Sequence, residues 1–276
     1  MAQANCPKCG GTGYELVRRE AAGTSGAAAS PIAVLCDCVQ AERGGRALDR
    51  ARIPARYQHC DFESFETDLN WESANSSAFN ASLAQAKLIV EGFVRDYPHT
   101  NEAGLLLMGP CGVGKTHLAI AAVKALVARG HEALFYDYRE LLKEIQDSYN
   151  PQNNATEMSV LEPVLRVEIL MLDDLGASKP SAWALETIGH ILNSRYNEKR
   201  VTVLTTNYLD SAEDAALRPR ALKMPSGEAF QARRDESLAD RIGARIRSRL
   251  YEMCRTVEIY APDFRREIRK VTGLHS

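Results

Sequence analysis

One eight-residue segment constrains the fold of this chain more than any other. Residues 109–116 read Gly-Pro-Cys-Gly-Val-Gly-Lys-Thr and match the pattern G-x-x-x-x-G-K-[ST]. The glycines allow a tight turn whose successive N–H groups converge on phosphate oxygens, and a following helix adds its positive end. Lys115 can reach the β and γ phosphates, and the Thr116 hydroxyl can bind Mg²⁺. The segment predicts an ATP site made of Gly109, Pro110, Cys111, Gly112, Val113, Gly114, Lys115 and Thr116.

The pattern around this segment indicates a parallel sheet sandwiched by helices. Short apolar runs predict strands at 104–108, 133–137, 168–173, 201–206 and 256–260. Periodic segments between them predict helices at 115–129, 138–149, 181–197 and 237–253. This alternation predicts an α/β fold of the P-loop NTPase type. A polar segment at 150–154 separates two elements, and we expect a mobile insertion at 217–234.

The composition excludes several other classes of protein. Of 276 residues, 45% are hydrophobic and 25% are charged, which excludes disorder throughout, collagen and coiled coil. The apolar run at 105–108 is far below the roughly 18 residues that a membrane span needs, and residues 1–6 lack the apolar core of a signal peptide. We therefore expect a cytoplasmic protein with no membrane partner. Because the net charge is −2, affinity for nucleic acid must come from local patches.

Two adjacent acids end the predicted strand at 168–173. The run at 169–172 is apolar and short, as in a buried strand, and Asp173 and Asp174 follow it. In P-loop enzymes this position lies beside the phosphate-binding turn. Asp173 would hold Mg²⁺, mostly through water, and Asp174 would polarise the attacking water.

Two further features suit ATP hydrolysis. Asn207 ends the predicted strand at 201–206, where an amide can hydrogen-bond both the γ-phosphate and the lytic water. Arg241, Arg245 and Arg249 recur every four residues and share one face of the predicted helix. A solvated basic face is the simpler interpretation. An ATPase that works as an oligomer, however, needs a guanidinium that reaches the γ-phosphate of its neighbour, and we expect at least one arginine to do so.

Four of the seven cysteines form two close pairs near the start of the chain. Cys6 and Cys9 form a CxxC pair followed by glycines, and Cys36 and Cys38 form a CxC pair. Four thiolates suit tetrahedral Zn²⁺, and a segment this short cannot stabilise itself by burial alone. We expect a zinc-binding module at 1–40, with reduced, unliganded thiols as the alternative. The remaining cysteines (Cys60, Cys111 and Cys254) are expected to be free thiols.

A connector joins this module to the predicted ATPase domain at 104–276. It spans 41–103, begins with a basic linker and ends in an amphipathic helix at 76–97. The segment at 53–62 either contacts the adenine ring or simply packs on the domain.

The order of these motifs resembles the AAA+ ATPases of the DnaC/DnaI helicase-loader and IstB group. The matching segments are 109–119, 172–176, 195–197, 205–207 and 245–254, whereas the long arginine-bearing segment at 210–237 departs from the pattern. The resemblance implies an AAA+ fold with Asp173 and Asp174 as the Walker B acids and Asn207 as sensor 1. It also implies that Arg249 is the arginine finger and that Arg265 is the sensor 2 arginine.

The resemblance further implies an ATP-driven switch that loads a replicative DNA helicase. ATP binding would order a contact between protomers, the assembly would engage a ring helicase and single-stranded DNA, and hydrolysis would release it. The nine Lys and Arg against four Asp and Glu at 218–250 are consistent with DNA contact, as is a solvated basic surface. Two alternatives stay open: a transposition helper of the IstB kind, and an adaptor that binds DNA or protein through its zinc module and uses ATP only structurally.

Overall fold

The computed structural model describes residues 4–17, 31–69, 74–100, 102–150, 156–209 and 237–266. It divides the chain into two compact units, Met1–Arg50 and Ala51–Ser276. The predicted insertion at 217–234 lies outside the described residues, as do 151–154 of the predicted polar segment and 218–236 of the basic stretch. Within the described part, no helix is both long enough and apolar enough to cross a bilayer.

The first unit contains a two-stranded antiparallel sheet and one helix. Strand β1 (Tyr14–Val17) pairs with β2 (Ile32–Leu35), and α1 (Asp37–Arg50) follows. The sequence interpretation placed most of α1 in the basic linker. Gly44 and Gly45 lie within this helix, and glycine lowers helix propensity, which explains why the pattern did not indicate it.

The second unit is built on a five-stranded parallel sheet in the order β4-β5-β6-β3-β7, which confirms the predicted α/β class. Its strands are β3 (Gly104–Met108), β4 (Ala133–Asp137), β5 (Ile169–Asp173), β6 (Val201–Thr206) and β7 (Arg255–Glu258). Strands β3, β5 and β6 are buried along their whole length. Parallel strands covered on both faces have continuous apolar runs, and this is why the sequence predicted them within a residue or so.

Seven helices and one short 3₁₀ turn (Ala55–Tyr57) complete the described part of the second unit. The helices are α2 (Ser76–Asp96), α3 (Lys115–Ala128), α4 (Tyr138–Asp147), α5 (Glu157–Arg166), α6 (Ala182–Asn197), α7 (Leu238–Ile242) and α8 (Ala244–Met253). The sequence analysis missed α5 because Pro163 lies inside it, and proline in a helix interior normally ends the helix.

The prediction of one continuous helix at 237–253 is wrong. Gly243 has φ 86° and ψ 141°, so the chain turns there and divides the segment into α7 and α8. Arg241 therefore belongs to a different helix from Arg245 and Arg249. The four-residue spacing predicted that the three arginines share one helix face. This face does not form, because the non-helical conformation of Gly243 changes the direction of the chain.

The residues after β7 reach the carboxyl edge of the central strand. Ile259 N–H donates to the Met108 carbonyl at 2.8 Å, directly before the glycine-rich segment. Further on, Phe264 N–H donates to the Gly112 carbonyl at 3.1 Å. Residues 259–264 therefore form one wall beside the glycine-rich turn.

A fully buried arginine joins three elements at the opposite edge of the sheet. Arg195 has an exposed fraction of 0% and donates to the Val164, Val167 and Val201 carbonyls at 2.9, 3.0 and 2.5 Å. Its Nε also donates to Thr202 Oγ1 at 3.0 Å. Burial lowers its pKa to about 9. The side chain fastens the end of α5 to the start of β6.

Candidate functional site

The glycine-rich segment forms a turn between the end of β3 and the start of α3. Gly109 and Gly114 have φ values of 151° and 94°, where residues with a Cβ are strained. Atoms of other residues also lie close to the α-carbons of these two glycines. A Cβ at Gly109 would lie 2.3 Å from the Ile259 carbonyl oxygen, and one at Gly114 would lie 2.6 Å from the Phe65 ring. The turn therefore needs glycine for its conformation and for its packing.

Lys115 is the first residue of α3, and its ammonium group points back into this turn. Its Nζ donates to the Gly109 carbonyl at 3.0 Å, to the Pro110 carbonyl at 2.6 Å and to Asn207 Oδ1 at 2.8 Å. Burial lowers the pKa of Lys115 to about 8. Near pH 7 it is therefore mostly charged, and it can neutralise a phosphate placed at this turn.

Asp173 lies at the carboxyl end of β5 and accepts two hydroxyl hydrogen bonds. Thr116 Oγ1 donates to its Oδ1 at 2.9 Å, and Thr205 Oγ1 donates to the same oxygen at 2.6 Å. Burial raises the pKa of Asp173, and the nearby Asp174 and Asp137 carboxylates raise it further, while the two hydroxyls oppose this shift. A buried carboxylate beside a threonine hydroxyl is the hard-oxygen pair that Mg²⁺ prefers. Asp173 and Thr116 can therefore hold a magnesium ion together.

Asp174 turns away from the strand. Its φ of 58° is in the left-handed region, and its N–H donates to Thr205 Oγ1 at 2.9 Å. Asn207 Nδ2 donates to the Asp174 carboxylate, so the Asn207 amide links this acid to Lys115. The structure thus brings together the four residues that the sequence singled out at separate strand ends.

Two residues at the end of β4 were missed by the sequence analysis. Asp137 lies opposite Asp173 in the sheet and caps α4 by accepting from the Arg139 and Glu140 N–H groups. Arg139 Nη2 lies 3.8 Å from Asp174 Oδ2. The sequence signal was that Asp137 ends a predicted strand, as Asp173 does.

A cavity of about 850 Å³, a volume within the usual range for ligand sites, is lined by Lys115, Thr116, Asp137, Asp173, Asp174 and Asn207. Arg265 and Phe264 contribute from the segment after β7, and Tyr57 and Phe65 contribute from the segment before α2. Arg265 therefore reaches the cavity for which it was predicted. From the segment at 53–62, Tyr57 reaches the cavity wall, and its pKa is raised by burial and by Asp173.

Arg249 does not line the cavity of its own chain. It donates to Asn193 Oδ1, and its guanidinium lies 5.7 Å from the centre of the Tyr196 ring. Arg245 is exposed, whereas Arg241 donates to the Ser178 carbonyl at 3.2 Å and stacks over Tyr208. The predicted action of one arginine on a neighbouring protomer stays a prediction.

The four paired cysteines form a cluster within the first unit. Cys6 Sγ lies 3.7 Å from Cys36 Sγ, and Cys9 Sγ lies 3.6 Å from Cys38 Sγ. One sulfur from each lies within 4.8 Å of every other. Zn–S bonds of about 2.3 Å in a tetrahedron separate the sulfurs by about 3.8 Å, so the cluster fits zinc. The backbone N–H groups of Cys9 and Lys8 lower the pKa of Cys6 to about 6, which favours the thiolate that a metal binds.

A central parallel strand that ends in a glycine-rich turn, with acids and an amide at the ends of the neighbouring strands, defines a P-loop ATPase core of the AAA+ type. The comparison with known families agrees with this class. Residues 40–218 match the family of IstB-like ATP binding proteins, and the chain belongs to that family.

Similarity to named proteins covers part of the chain. The replicative helicase loader DnaC of Escherichia coli (strain K12) is 27% identical over 162 residues, which are 59% of this chain and 61% of that protein. The replicative helicase loader DnaI of Bacillus subtilis (strain 168) is 28% identical over 121 residues, 43% of this chain and 38% of that protein. The chain thus spans 61% of the length of the DnaC relatives that it matches.

Solved structures resemble the chain over a larger share. The crystal structure of the DnaC helicase loader has a TM-score of 0.52 at 29% identity, covering 75% of this chain and 99% of that one. The crystal structure of DnaI has a TM-score of 0.50 at 25% identity, covering 77% and 94%. The AMPPCP-bound DnaA from Aquifex aeolicus is 16% identical with a TM-score of 0.50, covers 79% and 57%, and shares the fold. The predicted resemblance to the DnaC/DnaI and IstB group is confirmed.

Proposed function

We propose that this chain is an ATP-hydrolysing helicase loader of the DnaC type. One observation carries the proposal: Lys115, Asp173, Asp174 and Asn207 converge on one cavity in a chain whose ATPase part is similar to replicative helicase loaders. The client is inferred from the names of those relatives, and the chemistry is inferred from the side chains.

The residues of the cavity divide the chemistry between them. The N–H groups of residues 109–116 hold the phosphates, and Lys115 exchanges its bonds to the turn carbonyls for bonds to phosphate oxygens. Thr116 and Asp173 hold Mg²⁺, which stabilises the negative charge of the phosphates when it is bound. Asp174 orients the attacking water. Asn207 hydrogen-bonds both the γ-phosphate and the Asp174 carboxylate and so keeps them in position relative to each other.

Two arginines complete the proposed site. Arg265 contacts the phosphates from the wall after β7. Arg249 reaches the γ-phosphate of a neighbouring protomer, because this half-buried residue of α8 lies outside the cavity of its own chain. ATP therefore promotes self-association, and hydrolysis ends it.

The zinc-binding module is the proposed docking element for the helicase. Zn²⁺ bound by Cys6, Cys9, Cys36 and Cys38 would organise the described residues of this module, where β1 and β2 leave apolar side chains in solvent. Leu16 is 69% exposed and Tyr14 is 57% exposed, which is unusual for a surface that contacts only water. The linker at 41–103 then leads into the ATPase domain at 104–276, whose basic residues contact single-stranded DNA.

The test combines ATP binding with loading. The full chain, a replicative helicase from the same organism and a forked DNA coated with single-strand binding protein are mixed with ATP and Mg²⁺, and unwinding is measured. Lys115→Ala should weaken ATP binding at least about 100-fold, because it removes charge-assisted bonds to phosphate, and should abolish ATP-dependent unwinding. A wild-type protein that binds no ATP in the presence of Mg²⁺ contradicts the proposal.

A second candidate rests on the family match. A transposition helper of the IstB kind has the same core and a different client. Affinity purification from cell extract separates the two: a replicative helicase supports loading, and a transposase supports the alternative. If ATP is bound but not hydrolysed with DNA and helicase present, the adaptor interpretation replaces both.

A further inference from the structure

A second cluster of metal-binding side chains lies within the ATPase unit and was not indicated by any motif. His59 and Cys60 follow the 3₁₀ turn, and His117 lies in the first turn of α3. One potential ligand atom from each lies within 4.8 Å of the other two. Cys60 Sγ is 3.7 Å from His59 Nε2, and the His59 and His117 ring centres are 5.9 Å apart.

We propose that His59, Cys60 and His117 bind a divalent transition metal such as Zn²⁺, with a fourth position open to the cavity that all three residues line. Zn–S bonds of about 2.3 Å and Zn–N bonds of about 2.0–2.1 Å, at a tetrahedral angle, separate sulfur and nitrogen by about 3.5 Å. The observed 3.7 Å between Cys60 and His59 is close to this edge length. Two imidazoles and a thiolate favour zinc, cobalt, nickel or copper over magnesium.

The backbone around the cluster is held by groups that are not ligands. Lys124 Nζ, two turns along α3 from His117, donates to the Gln58 carbonyl at 2.7 Å and to the Cys60 carbonyl at 2.9 Å. These bonds hold the segment that carries His59 and Cys60 against the helix that carries His117. Pre-arranged ligands lower the cost of ordering them when the metal binds.

The orientation of His117 is fixed in the way that metal-binding histidines are fixed. Its Nε2 lies 2.9 Å from the Asp61 carbonyl oxygen and 3.2 Å from Ser64 Oγ. The Phe65 ring meets the imidazole edge to face, with centres 5.3 Å apart. A histidine that donates one ring N–H to a backbone carbonyl keeps a lone pair on its other nitrogen, and this sets the tautomer that a metal needs.

The site joins the segment that carries Tyr57 to the helix that begins at Lys115. It lies in the second unit, and its ligands are separate from the four cysteines of the first unit. The inference about metal binding therefore does not depend on helicase loading or on the zinc-binding module. It revises the expectation that Cys60 is simply a free thiol.

The test counts metal ions on the full-length protein. The protein is stripped with a chelator and titrated with Co²⁺, and bound metal is measured by mass spectrometry and by the visible absorption of tetrahedral cobalt. Cys60→Ser should bind one equivalent fewer than wild type, and His59→Gln, a change at an exposed side chain, should give the same loss. Two variants serve as matched controls and should keep the wild-type stoichiometry: Cys254→Ser, also at a buried thiol, and His190→Ala, also at an exposed imidazole.

The double variant Cys6→Ser/Cys9→Ser separates the two clusters. It should keep the equivalent held by Cys60, with sulfur-to-cobalt absorption from one thiolate in place of the five of wild type. If the cysteine module binds no metal, wild type binds one equivalent and Cys60→Ser binds none, which supports this site while contradicting the zinc-binding module. Equal stoichiometry in wild type, Cys60→Ser and His59→Gln, with circular dichroism showing native folds, overturns the proposal.

Discussion

The cysteine cluster and the nucleotide cavity are built by opposite means. The cavity lies at the edge of a sheet whose strands β3, β5 and β6 are buried along their length, so a large apolar core holds its side chains in place. The cysteine cluster lies in a unit of fifty residues, and in the described part of that unit Cys6, Cys9 and Cys36 form the buried cluster, with Cys38 packed against it. The apolar core of the second unit positions the side chains of the cavity, whereas the cysteine cluster is itself the packed centre of the first unit.

This contrast predicts that metal removal unfolds one unit and spares the other. Structural zinc contributes about 10–16 kcal/mol in small zinc-dependent folds, far more than a fifty-residue unit can replace by burial. Chelation, or Cys36→Ser, should therefore abolish the hydrogen-exchange protection of β1 and β2. In Cys36→Ser, ATP binding to the second unit should change less than twofold, which fluorescence titration of a labelled nucleotide can check. If β1 and β2 stay protected from hydrogen exchange after chelation, the first unit does not depend on metal and the contrast between the two sites is wrong.

A second prediction concerns the proposed action of Arg249 on the ATPase site of a neighbouring protomer. Arg249→Ala should lower the ATP turnover number by about 1,000-fold and leave ATP affinity within twofold, because an arginine finger acts on the transition state. Arg255→Ala, at an exposed arginine paired with Glu102, should be neutral. If Arg245→Ala lowers the turnover number and Arg249→Ala does not, Arg245 is the arginine finger. Loss of binding and turnover together in a folded Arg249→Ala protein excludes action across protomers.

The third prediction tests whether the scaffold depends on buried polar contacts. Arg195→Met removes the donor for five carbonyls and leaves them without this partner, which should cost about 3 kcal/mol of unfolding free energy in urea. Arg166→Met is the matched control, because the Arg166 side chain is 75% exposed and pairs with Glu162 at the surface, so its cost should be below about 1 kcal/mol. Equal costs for the two variants would show that burial of Arg195 contributes nothing.

The smallest expected effect concerns pH. Partial burial raises the pKa of Glu168, but hydrogen bonds from Tyr97, the Glu132 N–H and His131 outweigh it and hold this pKa below its ordinary value. A lowered carboxyl pKa stabilises the fold above the unfolded pKa, and this contribution is lost as pH falls through the folded value. Thermal unfolding of wild type should therefore be more acid-sensitive below about pH 4.5 than that of Glu168→Gln. Parallel curves for the two proteins would assign Glu168 no part in acid sensitivity.

Local patterns allowed much of the fold and of the candidate site to be predicted. The phosphate-binding turn, the acids after β5 and the amide after β6 each depend on a short segment whose residues carry the signal. The errors in the predicted helices arose at single residues whose local structure is not the usual one for their residue type. Pro163 is accommodated inside α5, and Gly243 leaves the helical region although isolated glycines are common within helices.

Some contacts between distant segments had no sequence signal. Nothing in the residues around His117 indicates that Cys60 packs beside it, and Arg139 belongs to no motif that would place it near Asp174. Such neighbours arise only when the sheet brings separate loops to the same edge. They are therefore the part of the site that the sequence alone could not supply.

The position of β7 beside β3 has a consequence for biosynthesis. Arg255 and Glu102 are 153 positions apart yet form an ion pair, and the residues after β7 finish the wall of the cavity at Gly112. On the ribosome, a growing polypeptide lacks the strand that pairs with one side of β3, and it also lacks one wall of the cavity. Both are missing until β7 and the residues after it have emerged. ATP capture should consequently begin only after this late strand docks, and incomplete translation products should compete poorly for the nucleotide.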